Sequence, residues 1–526
     1  MDLGLTQIGR GNEQFKRAYL RAEKALKRGR TLPACAWAQV AADIAWHRHP
    51  GFLVSPPLES LLLDVARNLS SVSAGTSAYS RFQPDEGSTK RRVLHVVTKL
   101  YKTGGHTRTI ERLINNWGES AVHGVVATYE GNSIPESLAS SIAQTGGRFT
   151  SLANSGNLLR RAIILRQIAT SWADLVILHQ HGFDAVPVLA FGRDGGPPVV
   201  LFNHGDHAFW LGASIADVVV DFRLLGQKLS RDRRGVRKSQ LLPLPLSGPK
   251  PKLSLKATPT GLGGTVTLLT VGAQYKYTAF GGYDFIETIV RILARNPKAI
   301  LLAVGSRPDR RWTKASLSVG GRIKALGPRT DVEPYFASAD LYLPSFPFGG
   351  VAALLEACLR GIPIVGMLNQ DAPILCEADD PSFEGLHTHF SPVEFDRHVE
   401  ELIADGNLRQ RKGAETRDHV MSVHTGTGWR NQLDQLRQSL PSEHEVKVPE
   451  PFDSPIDRSD AFLAGFDSVC WANYTLPTVI AKHLGKFPTQ ELPEASLEMI
   501  HGVPSLLAIP PNLALSSFLR LASGER

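Results

Sequence analysis

Two histidines and an aspartate occur together in Asn203–His207, directly after the apolar run Val199–Phe202. An imidazole beside a carboxylate is suited to general base chemistry near neutral pH. We therefore predict that His204 and Asp206 are catalytic and that His207 lies in the same cleft. Closely spaced His and Asp also bind zinc, which is the alternative interpretation. We expect no metal, because no third strong cluster of ligands accompanies this segment.

A second histidine pair and a glycine pair follow two further apolar runs. His179 and His181 come after one run, and Gly104, Gly105 and His106 come after the other. Glycines at a strand-to-helix junction let a ligand approach the backbone, and a helix N-terminus favours an anion. The alternative for Gly104-Gly105 is a tight turn without a ligand. No G-x-G-x-x-G motif occurs there, which disfavours a nicotinamide enzyme.

Gly349 and Gly350 precede a predicted helix whose faces differ in composition. Ala352, Ala353 and Glu356 share one face with Gly349. Small residues beside one carboxylate leave room for a ligand, and a carboxylate there accepts hydrogen bonds from ribose hydroxyls. The alternative is a solvated glutamate on an amphipathic helix. The small-residue face and the glycine entry favour a nucleotide site.

The elements that position these residues alternate between short apolar runs and helical patterns. Almost wholly apolar runs are typical of strands buried on both faces of a parallel sheet. Helices between them indicate right-handed βαβ units, in which ligands bind at the carboxyl ends of the strands. The predicted fold class is α/β, with two Rossmann-like doubly wound parallel-sheet domains.

Changes in composition divide the chain into five predicted segments. Residues 1–70 form a helical N-terminal region, and residues 71–90 form a Ser- and Gly-rich linker. The two Rossmann-like domains span 91–248 and 249–440. Residues 441–526 contain a further linker and a helical C-terminal extension.

The composition is that of a folded protein without a predicted membrane span. The 526 residues are 42% hydrophobic and 21% charged, with only four cysteines, far apart in the sequence. No run approaches about 20 apolar residues, and the N-terminus has no apolar signal core. We therefore expect a cytoplasmic protein with reduced cysteines.

The net charge of +8 is modest for this length. It fits an anionic small molecule or an acidic membrane surface, and we expect no nucleic-acid partner because aromatic residues do not alternate with Lys and Arg. The basic run Lys228–Arg234 and the basic N-terminal helix suggest peripheral membrane contact. A solvated surface is the alternative.

The stretch Asp331–Val365 resembles the donor-binding region of retaining GT-B glycosyltransferases. The matching residues are Pro344-Ser345, Pro347-Phe348-Gly349, Leu355-Glu356-Ala357 and Gly361-Ile362-Pro363-Ile364-Val365. The resemblance spans roughly residues 91–430. It implies a GT-B fold that moves a sugar from a nucleotide-diphosphate sugar to a saccharide, lipid-linked glycan or protein acceptor.

The resemblance also implies roles for individual residues. The first domain would bind the acceptor, with the loop Gly104-Gly105 at the cleft, and the second would bind the donor. Glu356 would hold the ribose, and the backbone of Gly349-Gly350 would face the donor. Lys276, four residues after Gly272, would bind the diphosphate. His204 would lie near the transferred sugar, and no cofactor is required beyond the donor substrate.

Three departures from the family pattern leave donor base, sugar, acceptor and stereochemistry open. The family's first glutamate would fall on Phe348, or on Phe346 if one residue is inserted. Ala273 and Gln274 occupy the usual place of an arginine, so Lys276 is the remaining cation. The Phe-Pro-Phe-Gly turn also resembles bacterial protein N-glucosyltransferases and their O-GlcNAc-transferase relatives, which invert configuration.

Two other functions remain compatible with the sequence. A nucleotide-sugar 2-epimerase shares the GT-B layout. A catalytically silent GT-B scaffold for polysaccharide assembly would account for the missing glutamate.

Overall fold

Two parallel sheets organise the chain in the computed structural model. The structure describes residues 2–69, 82, 89–101, 105–118, 120–130, 134–248, 264–376, 388–389, 391–450, 455–488, 492 and 495. Every pairing between the named strands of these sheets is parallel, and among the described residues a helix follows every strand of the two sheets except β5 and β7 before the next strand begins. The predicted α/β class with two Rossmann-like domains is confirmed.

The first sheet has seven strands in the order β3-β2-β1-β4-β5-β6-β7. Their bounds are β1 (Arg91–Lys99), β2 (Ala121–Glu130), β3 (Phe149–Ser151), β4 (Leu175–His179), β5 (Val199–Asn203), β6 (Val218–Asp221) and β7 (Ser239–Leu241). Strands β4, β5 and β6 are buried at every position. Their nearly continuous apolar sequence follows from this burial on both faces.

The second sheet has four strands in the order β10-β9-β8-β11. Their bounds are β8 (Val266–Val271), β9 (Ala299–Val304), β10 (Ile323–Gly327) and β11 (Leu341–Tyr342). A separate parallel pair is formed by β12 (Gly366–Met367) and β13 (Thr388–His389).

Helices cover both sheets. In chain order the described α-helices are α1 (Asp2–Lys27), α2 (Thr31–His47), α3 (Pro56–Arg67), α4 (Gly105–Trp117), α5 (Glu136–Gln144), α6 (Leu158–Trp172), α7 (Ala185–Phe191), α8 (Leu224–Arg234), α9 (Phe285–Arg295), α10 (Arg310–Ser318), α11 (Glu333–Ser338), α12 (Val351–Leu359), α13 (Pro392–Ala404), α14 (Gly406–His424), α15 (Gly426–Ser439), α16 (Arg458–Cys470) and α17 (Leu476–His483). No helix among the described residues is long and apolar enough to cross a membrane.

The N-terminal helices share one core with the first sheet. Every residue from Pro33 to Ala45 on α2 is buried, and the alanines of this segment let the helix approach its neighbours closely. One continuous hydrophobic cluster joins α1, α2 and α3 to the helices and strands of the first domain. The predicted helical region is therefore an integral layer of that domain.

The helices after the second sheet return to the first domain. Trp429, Leu433 and Leu436 of α15 pack with Trp117 and Val93 beneath the first sheet. Helix α16 packs against α1 and against aromatic residues of the second domain. Helix α15, in the predicted second domain, thus packs on the first domain, and α16, in the predicted C-terminal extension, contacts elements of both.

The basic run Lys228–Arg234 lies on α8, and only some of its side chains are exposed. Arg233 is buried and pairs with Asp460 at 3.0 Å. The guanidinium of Arg234 is buried and donates to two backbone carbonyls, those of residues 206 and 208. Two arginines of the run therefore have structural contacts inside the protein rather than a surface available to lipid.

Candidate active site

A cavity of about 390 Å³ lies between the two domains. Its lining comes from the loop after β5, the N-terminal ends of α4 and α12, the 3-10 turn 274–277, and the helices α2 and α16. Parallel sheets with right-handed crossovers bring the carboxyl ends of their strands to one edge, which is why these loops meet.

Lys276 reaches this cavity from the 3-10 turn that follows β8. Its ammonium donates a hydrogen bond to the carbonyl of Gly349 and lies 5.0 Å from the ring centre of Phe348. A Cβ atom on Gly350 would lie only 3.1 Å from Nζ of Lys276. A Cβ atom on Gly272 would lie 3.0 Å from the hydroxyl of Tyr277 and 3.4 Å from Cδ of Lys276. Both glycines therefore leave the space in which the lysine is held.

The N-terminal ends of α4 and α12 lie next to each other in the lining of the cavity. A Cβ atom on Gly105 would lie 3.6 Å from the Cβ of Ala352, so one helix start from each domain meets here. Gly350 is the N-cap of α12 and supplies no side-chain cap. The first N–H groups of a helix carry a partial positive charge that attracts anions. Gly104 lies outside the described residues.

Histidines form the first-domain part of the lining, and one of them, His106, follows Gly105 in the first turn of α4. The rings of His106 and His204 lie 4.1 Å apart, and His181 stacks on His106 with a centroid distance of 5.7 Å. Burial lowers the pKa of His106 to about 4 and that of His181 to about 3, and it holds the pKa of His204 well below its usual value. These imidazoles are therefore neutral at physiological pH.

His106, His179 and His204 each place one nitrogen within 4.8 Å of the others, a spacing that a metal ion could use. This trio is where the zinc alternative would apply. Nε2 of His204, however, shares a 3.0 Å hydrogen bond with Nδ1 of His179. Two of the three rings, His179 and His204, therefore bond to each other without an ion.

Asp206 is engaged by an arginine and does not form a hydrogen bond with His204 among the described contacts. Its carboxylate accepts hydrogen bonds from Arg223 at 2.7 and 3.1 Å, and this guanidinium holds the pKa of Asp206 far below its usual value. Arg223 also donates to the carbonyls of Ile374, at 2.7 Å, and Cys376. Asp206 thus orients an arginine that connects the two domains, with His207 3.9 Å away.

Glu356 lies on α12 beside a second cavity of about 250 Å³. Its carboxylate forms ion pairs with Arg112 of α4 and with Arg360, one turn further along α12. Arg360 in turn pairs with Glu333 at 2.6 Å. The Arg112 contact joins the two domains at the point where the resemblance implies a ribose, and that role stays a prediction.

The position of the missing family glutamate is occupied by an aromatic ring. Phe348 lines the main cavity, and its ring centre lies 5.0 Å from that of His207 and 5.4 Å from that of Tyr275. Phe346 is instead buried in the core of the second domain, against Phe285. Of the two alternatives, Phe348 is the residue at the cavity.

The sequence did not identify the aromatic wall that α2 and α16 contribute. Trp46 and Trp471 line the cavity, and Trp46 lies over two glycines of the first domain. A Cβ atom on Gly182 would lie 2.0 Å from the indole, and one on Gly205 would lie 2.9 Å from it. In the sequence, this contact is indicated only by the two glycines, Gly182 after β4 and Gly205 after β5, which leave room for a side chain above the backbone.

Comparisons with known proteins agree with this architecture. Residues 265–405 match the family model for Glycosyl transferases group 1. No curated protein sequence matches significantly. The solved structure of a mutant O-GlcNAc transferase from Thermobaculum terrenum is similar with a TM-score of 0.50 and 16% identity, over 89% of this chain and 85% of that one. A glycosyltransferase from Rickettsia africae ESF-5 is similar with a TM-score of 0.51 and 13% identity, over 67% of this chain and 99% of that one.

The structural likenesses show the fold, and the family match supplies the activity. A group 1 domain favours sugar transfer over the 2-epimerase and the silent scaffold. Residues 265–405 therefore form a Glycosyl transferases group 1 domain, and the chain is a glycosyltransferase of the GT-B fold.

Proposed function

We propose that this glycosyltransferase uses a nucleotide-diphosphate sugar and transfers the sugar to an acceptor in the cavity between its domains. The observation that carries the proposal is the convergence of three positive groups. The ammonium of Lys276 lies beside Gly350 at the start of α12, and Gly105 at the start of α4 lies beside Ala352 in the lining of the same cavity. A diphosphate fits this part of the cavity, because ammonium and helix N–H groups both stabilise phosphate charge.

The same groups serve the chemistry. When the bond between the sugar and the diphosphate breaks, negative charge grows on the leaving phosphate oxygen. Preorganised donors that are already aimed at this oxygen lower the barrier and need little reorganisation. Lys276 is held by the Gly349 carbonyl and the Phe348 ring before any ligand binds, so its position is preorganised.

The nucleoside is proposed to occupy the second cavity. Glu356 lies four residues after Ala352 on α12, so a ribose joined to a diphosphate at the start of that helix reaches its carboxylate. A carboxylate has acceptor capacity for several donors, so Arg112 and Arg360 do not use all of it. Binding of a ribose therefore extends the present network.

The acceptor is proposed to enter along the aromatic wall of α2 and α16. Trp46 and Trp471 present flat apolar surfaces to the cavity, and the carbon faces of a sugar ring can pack on them. Trp46 lies over Gly182 and Gly205 of the first domain, so the acceptor is proposed to bind on that side and the donor on the second-domain side of one cavity.

The experiment that tests the donor class is a nucleotide binding screen. UDP, GDP, ADP, CMP and TDP are titrated by calorimetry and thermal unfolding into the full chain, Glu356→Ala and the exposed control Glu401→Ala. A ligand at 100 times its Kd adds about 2.7 kcal/mol to the stability of the native state.

We expect one nucleotide to stabilise the wild type and Glu401→Ala but not Glu356→Ala. The corresponding nucleotide sugars are then tested for hydrolysis and transfer. If none of the five nucleotides stabilises the wild type, the proposed donor class is refuted.

A further inference from the structure

Four histidines form a continuous chain of hydrogen bonds across the first sheet. Nε2 of His204 bonds to Nδ1 of His179 at 3.0 Å, and Nε2 of His179 bonds to Nδ1 of His95 at 3.1 Å. Nε2 of His95 bonds to Nδ1 of His123 at 2.9 Å. The chain begins at the cavity and ends inside the protein.

The strand register explains why the four rings meet. His123 is level with Val93 on β1, and His179 is level with Val97. His95 lies two residues from each of these positions, so it points to the same face of the sheet. The rings therefore step diagonally over three neighbouring strands towards His204, at the carboxyl edge where the cavity lies.

Each ring in the chain has one donor and one acceptor. His95, His123 and His179 are fully buried, and burial lowers the pKa values of all four imidazoles, so they are neutral. A neutral imidazole carries one N–H and one lone pair. The chain therefore has two arrangements, with every proton on Nδ1 or every proton on Nε2.

The buried end of the chain decides between the two arrangements. Nε2 of His123 is buried and has no hydrogen-bond partner. Beyond it lie the ring of Trp117 and the guanidinium of Arg437, which stacks over that ring at 4.5 Å. Neither carries a lone pair, and the positive charge repels an N–H. Orphaned buried N–H groups are rarer than orphaned acceptors, so Nε2 of His123 carries the lone pair.

We infer that all four histidines carry their proton on Nδ1, so that His204 presents an N–H donor to the cavity. His123 and His95 are then positioning residues that fix this tautomer from inside the sheet. The tautomer itself follows from the hydrogen bonds, and only its role in catalysis rests on the proposed function. This tautomer replaces the predicted base at His204 with a hydrogen-bond donor.

His106 supplies the complementary acceptor. Its Nε2 is buried and has no partner, and its other nitrogen donates to the backbone carbonyl of His179. The bare lone pair therefore lies beside His204, with 4.1 Å between the ring centres. A hydroxyl of the donor sugar or of the acceptor can donate to His106 while it accepts from His204. The ligand class at this point is a hydroxyl group.

The test is a measurement of the protonated ring nitrogens in the ligand-free full chain. Long-range proton–nitrogen correlation spectra of protein labelled with ¹⁵N-histidine separate N–H from bare nitrogen, and His204→Gln and His106→Gln assign the two cavity rings. We expect the N–H of His204 and of His106 on Nδ1. An N–H on Nε2 of His204, or a copurifying metal that shifts these rings, would overturn the inference.

Two substitutions at the far end test the positioning role. His123→Gln keeps an N–H that donates to His95, whereas His123→Leu removes it. We expect the Leu variant to lose the single Nδ1–H signature of His204 and to lower kcat about tenfold with KM unchanged, and the Gln variant to retain both. An unchanged His204 signature in a folded His123→Leu variant contradicts the positioning role. The spectra require no donor, so a failure of the proposed function would leave this test intact.

Discussion

The two sides of the cavity are built in different ways. On the second-domain side, backbone groups and full charges face the ligand space, from Gly349, Gly350 and Lys276, with Glu356 and its arginines nearby. On the first-domain side the lining is mostly neutral imidazoles and aromatic rings, beside the ion pair of Asp206 and Arg223, and hydrogen bonds that run deep into the sheet hold the imidazoles.

The two sides are therefore suited to different parts of the reaction. The charged side suits an anion that binds tightly and leaves carrying negative charge. The neutral side suits hydroxyl groups, whose hydrogen bonds need a defined donor and acceptor rather than charge. Disturbing one side should therefore change donor binding and leaving-group departure, and disturbing the other should change stability and positioning.

The largest expected effect comes from removing the cation on the charged side. Lys276→Ala should lower the transfer rate by about 10² to 10³, the loss found when one preorganised donor to a developing oxyanion is removed. The measurement is kcat and KM with the nucleotide sugar identified by the binding screen.

Lys314→Ala is the matched control, since Lys314 is an exposed lysine on α10 of the same domain. It should leave the rate unchanged. A Lys276→Ala variant that retains wild-type kcat would show that the helix N-termini alone stabilise the leaving group.

The charged side could be predicted from the sequence, and the neutral side only in part. Gly349, Gly350 and Glu356 lie within eight residues of one another, so one local pattern reports them, and Lys276 follows directly after a buried strand. Local periodicity also revealed both sheets, because strands buried on both faces have almost continuous apolar sequence.

The neutral side depends on contacts between residues far apart in sequence. His95 and His123 read as ordinary strand residues, and only the register of β1, β2 and β4 brings them into line with His179. Trp46 belongs to a helix whose packing on the first domain leaves no periodic signal. Pairing across the sheet and docking of helices are tertiary properties, so single-segment patterns did not report them.

The next effect in size tests whether the aromatic wall is structural. Gly205→Ala would place a Cβ 2.9 Å from the indole of Trp46, and the nearest atom outside that ring is Cβ of Ala208, at 3.9 Å. Overpacking of this kind costs about 1 to 3 kcal/mol. The cost should largely disappear in the Trp46→Ala background, and the coupling is measured by urea unfolding of the four proteins of the cycle.

Gly9→Ala provides the matched control for this substitution. Gly9 lies on α1, and a Cβ there would meet nothing within 4 Å. Alanine in an exposed helix interior is more favourable than glycine by about 0.5 to 1 kcal/mol, so this variant should be slightly more stable. If Gly205→Ala behaves like Gly9→Ala, the contact with Trp46 does not restrict that loop.

The smallest effect concerns the ion pair that joins the two sides. Arg112 on α4 and Glu356 on α12 are both mostly buried, and their pairing holds the domains together next to the second cavity. Arg112→Gln removes the charge, while Arg360 still pairs with Glu356. We expect a loss of about 1 kcal/mol, or roughly fivefold in kcat/KM, because a hydrogen bond across the cleft is weakened while Glu356 stays paired.

Arg108→Gln is the control that distinguishes loss of the Arg112–Glu356 ion pair from loss of one positive charge in the cavity. Arg108 lies one turn earlier on α4 and lines the same cavity, but the carboxylate of Glu356 is contacted by Arg112 and Arg360. If the pair acts by closing the cleft, Arg112→Gln should reduce kcat/KM more than Arg108→Gln does, and it should have no further effect in a Glu356→Gln background. Equal effects of the two arginine substitutions would instead mean that both act through the charge of the cavity.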